Sequence, residues 1–296
     1  MPMENDMCPP IPVVSSIAEL SEGRKAWFCD VWGVLHDGLT AFEPAVDACR
    51  AFKARGGEIV LVSNSPRPSG AVLKHLSSLG VRSGSFNALV TSGDVTRGLV
   101  EAHAGEGVFH LGPERDLCLF EGLNVAFAPP EKAVAAVCTG FFHEDRETPE
   151  DYDAILAALA ARGVPMICAN PDLAVERGNR LLPCAGLLAE RYAALGQTVI
   201  QAGKPYRPIY DAAMRKLSIP LARKDILAIG DGIDTDIKGA HAQGIDSVYI
   251  ASRVHYGDRA RLDGAAGAGA EGMRYLGRLF AGKPFRPAAA MSRLRW

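Results

Sequence analysis

The stretch KAWFCDVWGVL, residues 25 to 35, decides the fold. It is a short apolar run that ends in an acid and a glycine, which reads as a buried strand with a loop at its C-terminal end. Downstream, EPAVDACRAFKAR (43–55) puts Pro44 in a helix first turn. Val46, Cys49, Ala51 and Phe52 follow at helical spacing, and Gly56-Gly57 stops the helix. EIVLVSNSPRP (58–68) is a second buried strand ending in small polar residues, and SGAVLKHLSSL (69–79) a helix closed by Gly80. FNALVTSG gives a third strand and DVTRGLVEAHA a third helix. This alternation is that of an α/β chain with a parallel sheet and helices on its faces. KDILAIGD (224–231) and GIDSVYIA (244–251) read as two more strands of that sheet, with GIDTDIKGAHAQ starting a helix between them.

The middle of the chain has strands of its own: GVFHLG, NVAFAP, AVAAVCTGFF, VPMICAN and QTVIQAG. It also has helical patterns at about 149–162 and 184–195. The expected organisation is therefore a core from 1–102 and 201–296, with 103–200 inserted as a second domain. Residues 1–24 form a leader with a short helical pattern at IAELSE. GAAGAGAEG (264–272) is a low-complexity stretch, followed by a helix at about 271–281. The Pro/Arg tail ending at Trp296 is left open between a docking element, disorder and packing on its own chain.

Composition removes several function classes. The chain has 296 residues, 48% of them hydrophobic, enough for a packed core and about two domains. Its 32 Lys and Arg nearly balance 34 Asp and Glu, so nothing in the charge favours nucleic acid or an anionic membrane. No apolar run reaches the roughly 20 residues of a bilayer span, and the start has no basic signal-peptide region. Seven scattered cysteines without a CxxC pair fit a reduced, cytoplasmic protein.

Chemistry gathers at the strand ends, where an open parallel sheet binds ligands. The first strand ends in Asp30, the second in Ser63-Asn64, and a later one in Gly230-Asp231, with Asp234 and Asp236 beyond. A lone strand-end Asp is commonly a turn or cap, and Asp234 reads as a cap or surface acid. The set together suits phosphoryl transfer: Asp30 as nucleophile, and a hard divalent cation, Mg²⁺, between Asp30, Asp231 and phosphate. The Ser63 hydroxyl would donate to phosphoryl oxygens, and Lys204 would offset the remaining charge. A calcium-loop reading of 231–245 fails on spacing, because Ile233 and Ile245 fall at ligand positions.

DVWGVL (30–35), LVSNS (61–65), GKP (203–205) and GDGIDTD (230–236) resemble, in order, the four motifs of the haloacid dehalogenase (HAD) superfamily. VTSGDVT (90–96), ANPD (169–172) and PCAG (183–186) are similar to its class IIA, the NagD-like phosphatases. The resemblance runs from about Lys25 to Arg253. It implies a Rossmann-like core, an inserted α/β cap of the C2 type, Mg²⁺ and hydrolysis of a small phosphorylated metabolite (a sugar, nucleotide or cofactor phosphate). By that resemblance Asp30 is the nucleophile and Ser63 the phosphate binder, while Lys204 steadies the charge. Asp231 and the Trp32 backbone carbonyl would join Asp30 as metal ligands, and Asp236 would act through the metal's waters. Asn64 would shape the phosphate loop, with Asn170 and Asp172 facing the substrate from the cap and Trp32 bordering it. Cap-mediated dimers in related phosphatases leave a homodimer as an option by analogy.

One position departs from the pattern. Most family phosphatases carry a second acid two residues after the nucleophile, which protonates the leaving group and then activates water. Here that residue is Trp32, which transfers no proton at neutral pH. Three readings follow: a slow or leaving-group-selective phosphatase, cleavage of a C–P bond, or a weakened phosphometabolite-binding or regulatory module. His36 and Asp37 are the nearest replacement acids, against the plainer reading of HDG as a turn.

Overall fold

In the computed structural model, residues 9–177, 180–251, 262 and 269–296 are described. The run that opens the reading forms β1 (Ala26–Cys29), buried at all four positions. It is followed by α1 (Glu43–Ala54), β2 (Glu58–Ser63), α2 (Ser69–Ser78), β3 (Ala88–Thr91) and α3 (Ser92–Val100). α3 starts two residues before the DVT of the sequence reading. Thr91 caps it by accepting from Asp94 N at 3.0 Å, while Asp94 accepts from Thr91 N at 3.1 Å. This reciprocal pair satisfies two amides that would otherwise be orphaned at the helix start.

The middle segment contributes β4 (Gly107–Leu111), β5 (Ala126–Phe127), β6 (Ala135–Cys138), α4 (Asp153–Ala160) and β7 (Met166–Cys168). A hairpin of β8 (Ala174–Arg177) and β9 (Arg180–Pro183) follows, then α5 (Ala185–Ala194) and β10 (Val199–Gln201). Five of these strands form a parallel sheet in the order β10-β7-β6-β4-β5. The β8–β9 hairpin stands apart as an antiparallel pair. The sequence reading did not identify it, because AVERGNRLLP lacks the alternation that marks a half-buried strand. This cap has its own core, with Phe141, Tyr152, Leu188 and Tyr192 buried together.

The chain then returns through α6 (Arg207–Arg215), β11 (Ile226–Gly230), α7 (Lys238–Ala242), β12 (Asp246–Ile250), α8 (Ala270–Leu279) and β13 (Ala289–Met291). The resulting parallel sheet has the order β13-β12-β11-β1-β2-β3. Alternate residues of β1 feed opposite faces: Trp27 and Cys29 join one core cluster, Ala26 and Phe28 another. Burial on both faces is why these strands read as continuous apolar runs.

The tail packs on its own chain. β13 pairs with β12, and the Trp296 ring lies 6.2 Å from Trp27, which stacks on Phe52 at 4.2 Å. Arg55 sits over the Trp296 ring at 4.8 Å, a cation–π contact. The alanine-rich strand itself carries little β signal in sequence. The low-complexity stretch at 264–272 lies outside the described residues as far as 268. Among the described residues, six cysteines are free thiols, and no helix is long and apolar enough to cross a membrane.

Candidate active site

Strand register brings the candidate residues to one end of the core sheet. Cys29 aligns with Leu61 on one side and Ile229 on the other. Asp30, Ser63-Asn64 and Asp231 therefore leave their strands at the same edge, and Asp30 N donates to Ile229 O at 2.8 Å. Lys204 arrives from the loop after β10. Its Nζ donates to Asp30 Oδ1 at 2.5 Å and to Asp236 Oδ1 at 2.8 Å. All three side chains are buried, Lys204 at 3% exposure and each Asp at 7%. Asp236 is drawn back onto the strand end: Gly232 N donates to Asp236 Oδ2 at 3.1 Å. A Cβ at Gly230 would stand 2.1 Å from the Asp236 carboxyl carbon, so only glycine admits this approach.

Burial and charge oppose each other here. Burial pushes the Asp30 carboxyl up, and the Lys204 ammonium pulls it partly back. Asp236 is pushed up to about 6 by burial, again against Lys204. Burial of Lys204 favours its neutral form, but Asp236, Asp30 and Asp172 together outweigh that and hold it well above its usual value. A dry, fixed ammonium beside a carboxylate keeps that carboxylate ionised and gives a nearby dianion a counter-charge.

The carboxylates of Asp30, Asp231 and Asp236 each offer an oxygen, all within 4.8 Å of one another. An all-oxygen, anionic donor set of this size suits a hard divalent ion such as Mg²⁺. Gly33 makes room for it, with φ at +81° and an ideal Cβ position 2.1 Å from Asp231 Oδ2. Gly33→Ala is therefore expected to displace Asp231 and weaken Mg²⁺ binding by about 10- to 100-fold, the usual cost of disturbing a ligand's support. Calorimetric Mg²⁺ titration checks this, and unchanged affinity would contradict it.

The remaining candidates divide by location. Ser63 is buried, and its Oγ accepts from Ser65 N at 3.2 Å. Both polar atoms of the Asn64 side chain are engaged inside the protein. Oδ1 accepts from Lys204 N at 2.7 Å, and Nδ2 donates to Lys204 O at 3.1 Å and to Asp172 Oδ1 at 2.8 Å. Asn64 thus latches the Lys204 loop and the cap to the end of β2. Asn170 Oδ1 accepts from Asp172 N at 3.1 Å, which turns the cap loop toward that latch. Asp234 is a surface acid paired with Lys283 at 2.7 Å.

Trp32 is half-buried, with its ring 5.0 Å from His36 and edge-on to it. A Cβ at Gly38 would meet the indole at 2.5 Å, so that glycine lets the ring lie across the loop. His36 Nδ1 accepts from Gly38 N at 2.8 Å, and burial holds its pKa down to about 4. His36 is neutral at pH 7 and carries no proton to spare for a leaving group. Asp37 Oδ1 accepts from Leu39 N and Thr40 N at 3.1 and 2.9 Å. HDG is the turn that its composition suggested.

Sequence reasoning missed the direct Asp236–Lys204 pair and the Asn64–Asp172 latch. Gly203 was a usable signal for the latch: a Cβ there would lie 2.4 Å from Asn64 Oδ1.

The chain is similar to known proteins over most of its length. A model of the "Haloacid dehalogenase-like hydrolase" family matches residues 27–126, and a HAD-hydrolase-like model matches 201–273. The crystal structure of a haloacid dehalogenase-like hydrolase from Brucella suis is 41% identical, with a TM-score of 0.82, covering 95% of this chain and 99% of that one. The ribonucleotide monophosphatase NagD of Escherichia coli is 23% identical over 78% of this chain and 88% of its own length. The D-glycerol 3-phosphate phosphatase of Mycobacterium tuberculosis is 30% identical over 80% of this chain and 65% of its own. The chain belongs to the haloacid dehalogenase-like hydrolase family, in its class IIA, NagD-like branch.

Proposed function

We propose that the protein is a Mg²⁺-dependent phosphatase that acts on a small phosphorylated metabolite through an aspartyl-phosphate on Asp30. The observation that carries this is the buried Asp30–Lys204–Asp236 contact beside Asp231, at the edge where three parallel strands end. The names of the relatives, one for ribonucleotides and one for glycerol 3-phosphate, support a small phosphate monoester as substrate. The free thiols of the described cysteines fit a reducing, cytoplasmic setting.

In this reading Asp30 presents an ionised oxygen to phosphorus because Lys204 counters the cost of burying that charge. As the bond from Asp30 to phosphorus forms, the bond from phosphorus to the leaving oxygen breaks, and that oxygen departs as an anion that takes its proton from water. A water molecule then attacks phosphorus, gives up a proton, and releases inorganic phosphate with return of the Asp30 carboxylate. Ser63 donates to a phosphoryl oxygen. Asn64 and Asp172 hold the cap against the core, so that bulk water is kept from the site. Asp30, Asp231 and Asp236 would hold Mg²⁺, which when bound supplies positive charge to the phosphoryl oxygens.

The leaving group receives no proton from position 32, His36 is held uncharged by burial, and the Asp37 carboxylate accepts from the Leu39 and Thr40 amides. Turnover is therefore expected to favour acidic leaving groups. Losing a general acid typically costs about 10²- to 10⁴-fold where the leaving group is basic. Trp32→Asp should raise kcat/KM for an alkyl phosphate relative to p-nitrophenyl phosphate by at least about tenfold, with the melting temperature checking the fold. An unchanged ratio in a folded variant means Trp32 does not set this preference. The function itself is tested with Mg²⁺, p-nitrophenyl phosphate, acetyl phosphate and a panel of sugar, nucleotide and cofactor phosphates. Absence of turnover across the panel while Mg²⁺ still binds would overturn it.

A further inference from the structure

A cavity of about 420 Å³ opens where the cap faces the core. Its core wall is Leu39, 58% exposed, on the loop that leaves Asp30. Its cap wall includes Phe142, two acids, Glu144 and Asp145, and three arginines, Arg115, Arg177 and Arg180. The loops that build the cavity are continuous with the active site: Arg177 lies five residues after Asp172, and Leu39 nine after Asp30. The Trp32 ring lies 5.0 Å from His36, and His36 lies 5.7 Å from His75, the residue on which the Arg177 charge acts, so the cavity's arginine lies along the same loop cluster as position 32.

The arginines are not equivalent. Arg115 is neutralised by an ion pair with Glu144. Arg180 makes only a long contact, 3.4 Å, to the Asp145 carbonyl. The Arg177 side chain makes no hydrogen bond or ion pair among the described residues. Arg177 and Arg180 are also direct cross-strand partners in the β8–β9 hairpin. Side chains directly opposite in an antiparallel pair share a face, and like charges there repel. Nothing in the fold of the hairpin requires two guanidinium groups at that pair, whereas an anion between them would turn repulsion into a two-armed grip.

A third cation reinforces the same place from the core. Arg67 follows Asn64 by three residues, at most roughly 11 Å along the chain. After burial, the charges of Arg67 and Arg177 both depress the proton affinity of His75 on α2. Arg67 also acts on Asp116 in the cap, whose carboxyl burial nonetheless pushes up to about 6. Arg67 and Arg177 thus both act on His75, Arg67 from outside the cavity's lining.

We propose that this cavity binds a second anionic group, carboxylate or phosphate, carried on the leaving-group side of the substrate, with Arg177 and Arg180 as its ligands and Arg67 adding charge from the core. The substrate class is thus a phosphate monoester bearing a further acid. This rests on the phosphatase reading for what happens at Asp30, but the cavity can be tested without turnover.

The test uses two matched pairs with Mg²⁺ enzyme: 3-phosphoglycerate against glycerol 3-phosphate, and fructose 1,6-bisphosphate against fructose 6-phosphate. The first pair reads a carboxylate, the second a phosphate. Wild type is expected to favour the doubly anionic member of at least one pair by about 10- to 100-fold in kcat/KM, the range of charge-assisted hydrogen bonds. Arg177→Met with Arg180→Met should bring that ratio close to one. A wild-type ratio near one in both pairs, or a ratio that survives the double variant, overturns the proposal. Calorimetric binding of the same pairs to Asp30→Asn protein gives the parallel readout without hydrolysis. Equal affinity within both pairs overturns the cavity assignment. Lack of turnover of every substrate, with the affinity difference intact, overturns the phosphatase reading and leaves the cavity standing.

Discussion

Asp30→Asn is expected to abolish Mg²⁺-dependent hydrolysis of p-nitrophenyl phosphate, with a fall of at least about 10⁴-fold in kcat. Removing the nucleophile of a covalent mechanism removes the first step outright, and such losses reach about 10⁶-fold in enzymes where they have been separated. The amide is nearly isosteric with the carboxylate but does not attack phosphorus. The fold should survive, because Lys204 keeps its bond to Asp236 at 2.8 Å and a costly buried charge disappears. Circular dichroism and a melting curve like those of wild type, together with lost turnover, are the expected pair of results. Residual activity above about 1% would mean that another group attacks phosphorus, or that water attacks directly.

Lys204→Met is expected to damage both stability and activity. Lys204 is the shared cation of Asp30 and Asp236, and it also lowers the pKa of Asp172. Breaking a buried ion pair from one side typically costs about 3–5 kcal/mol, because the partner charges stay buried without compensation. Loss of the fixed positive charge at the phosphoryl site should lower kcat by at least about 10²-fold.

The stability loss should depend on pH when metal is removed with EDTA. Without Lys204, burial raises the carboxyl pKa values of Asp30, Asp172 and Asp236 further above that of an unfolded Asp, about 3.9. A folded state that holds protons more tightly than the unfolded state loses stability as pH rises. The loss begins near the unfolded value and continues through the folded values, which for Asp236 is about 6 even with Lys204 present. The variant should therefore lie closest to wild type near pH 5 and farthest at pH 8, as read by urea unfolding at both. An equal gap at the two pH values would mean that Lys204 does not set the ionisation of this cluster.

Much of the fold was legible because burial on both faces writes itself into the sequence as uninterrupted apolar runs. β1, β2, β11 and β12 all carry that mark, and their ends place Asp30, Ser63 and Asp231 on one edge. β13 escaped notice because Ala289-Ala290-Met291 has no β-branched or aromatic residue, and its strand state comes from pairing with β12. The β8–β9 hairpin escaped because its polar face belongs to a cavity and not to a core. The site was legible as a set of residue types but not as a network. Asn64 and Asp172 are 108 residues apart and meet only because the cap closes on the core. Lys204 and Asp236 are 32 apart, and Asp236 was expected to act through water. In the structure it also bonds the Lys204 ammonium directly. The indole of Trp32 was expected beside the site. In the structure the ring lies across its own loop, against Gly38 and edge-on to His36.

The central claim is that Asp30 is phosphorylated during turnover. The most direct measurement quenches the Mg²⁺ enzyme in acid while it turns over a substrate with radiolabelled phosphate, then maps the labelled peptide. The expected result is an acid-stable, alkali-labile phosphoryl group on the peptide containing Asp30, absent from Asp30→Asn protein. Turnover without any labelled protein under rapid quenching, or a label on another residue, would contradict the account.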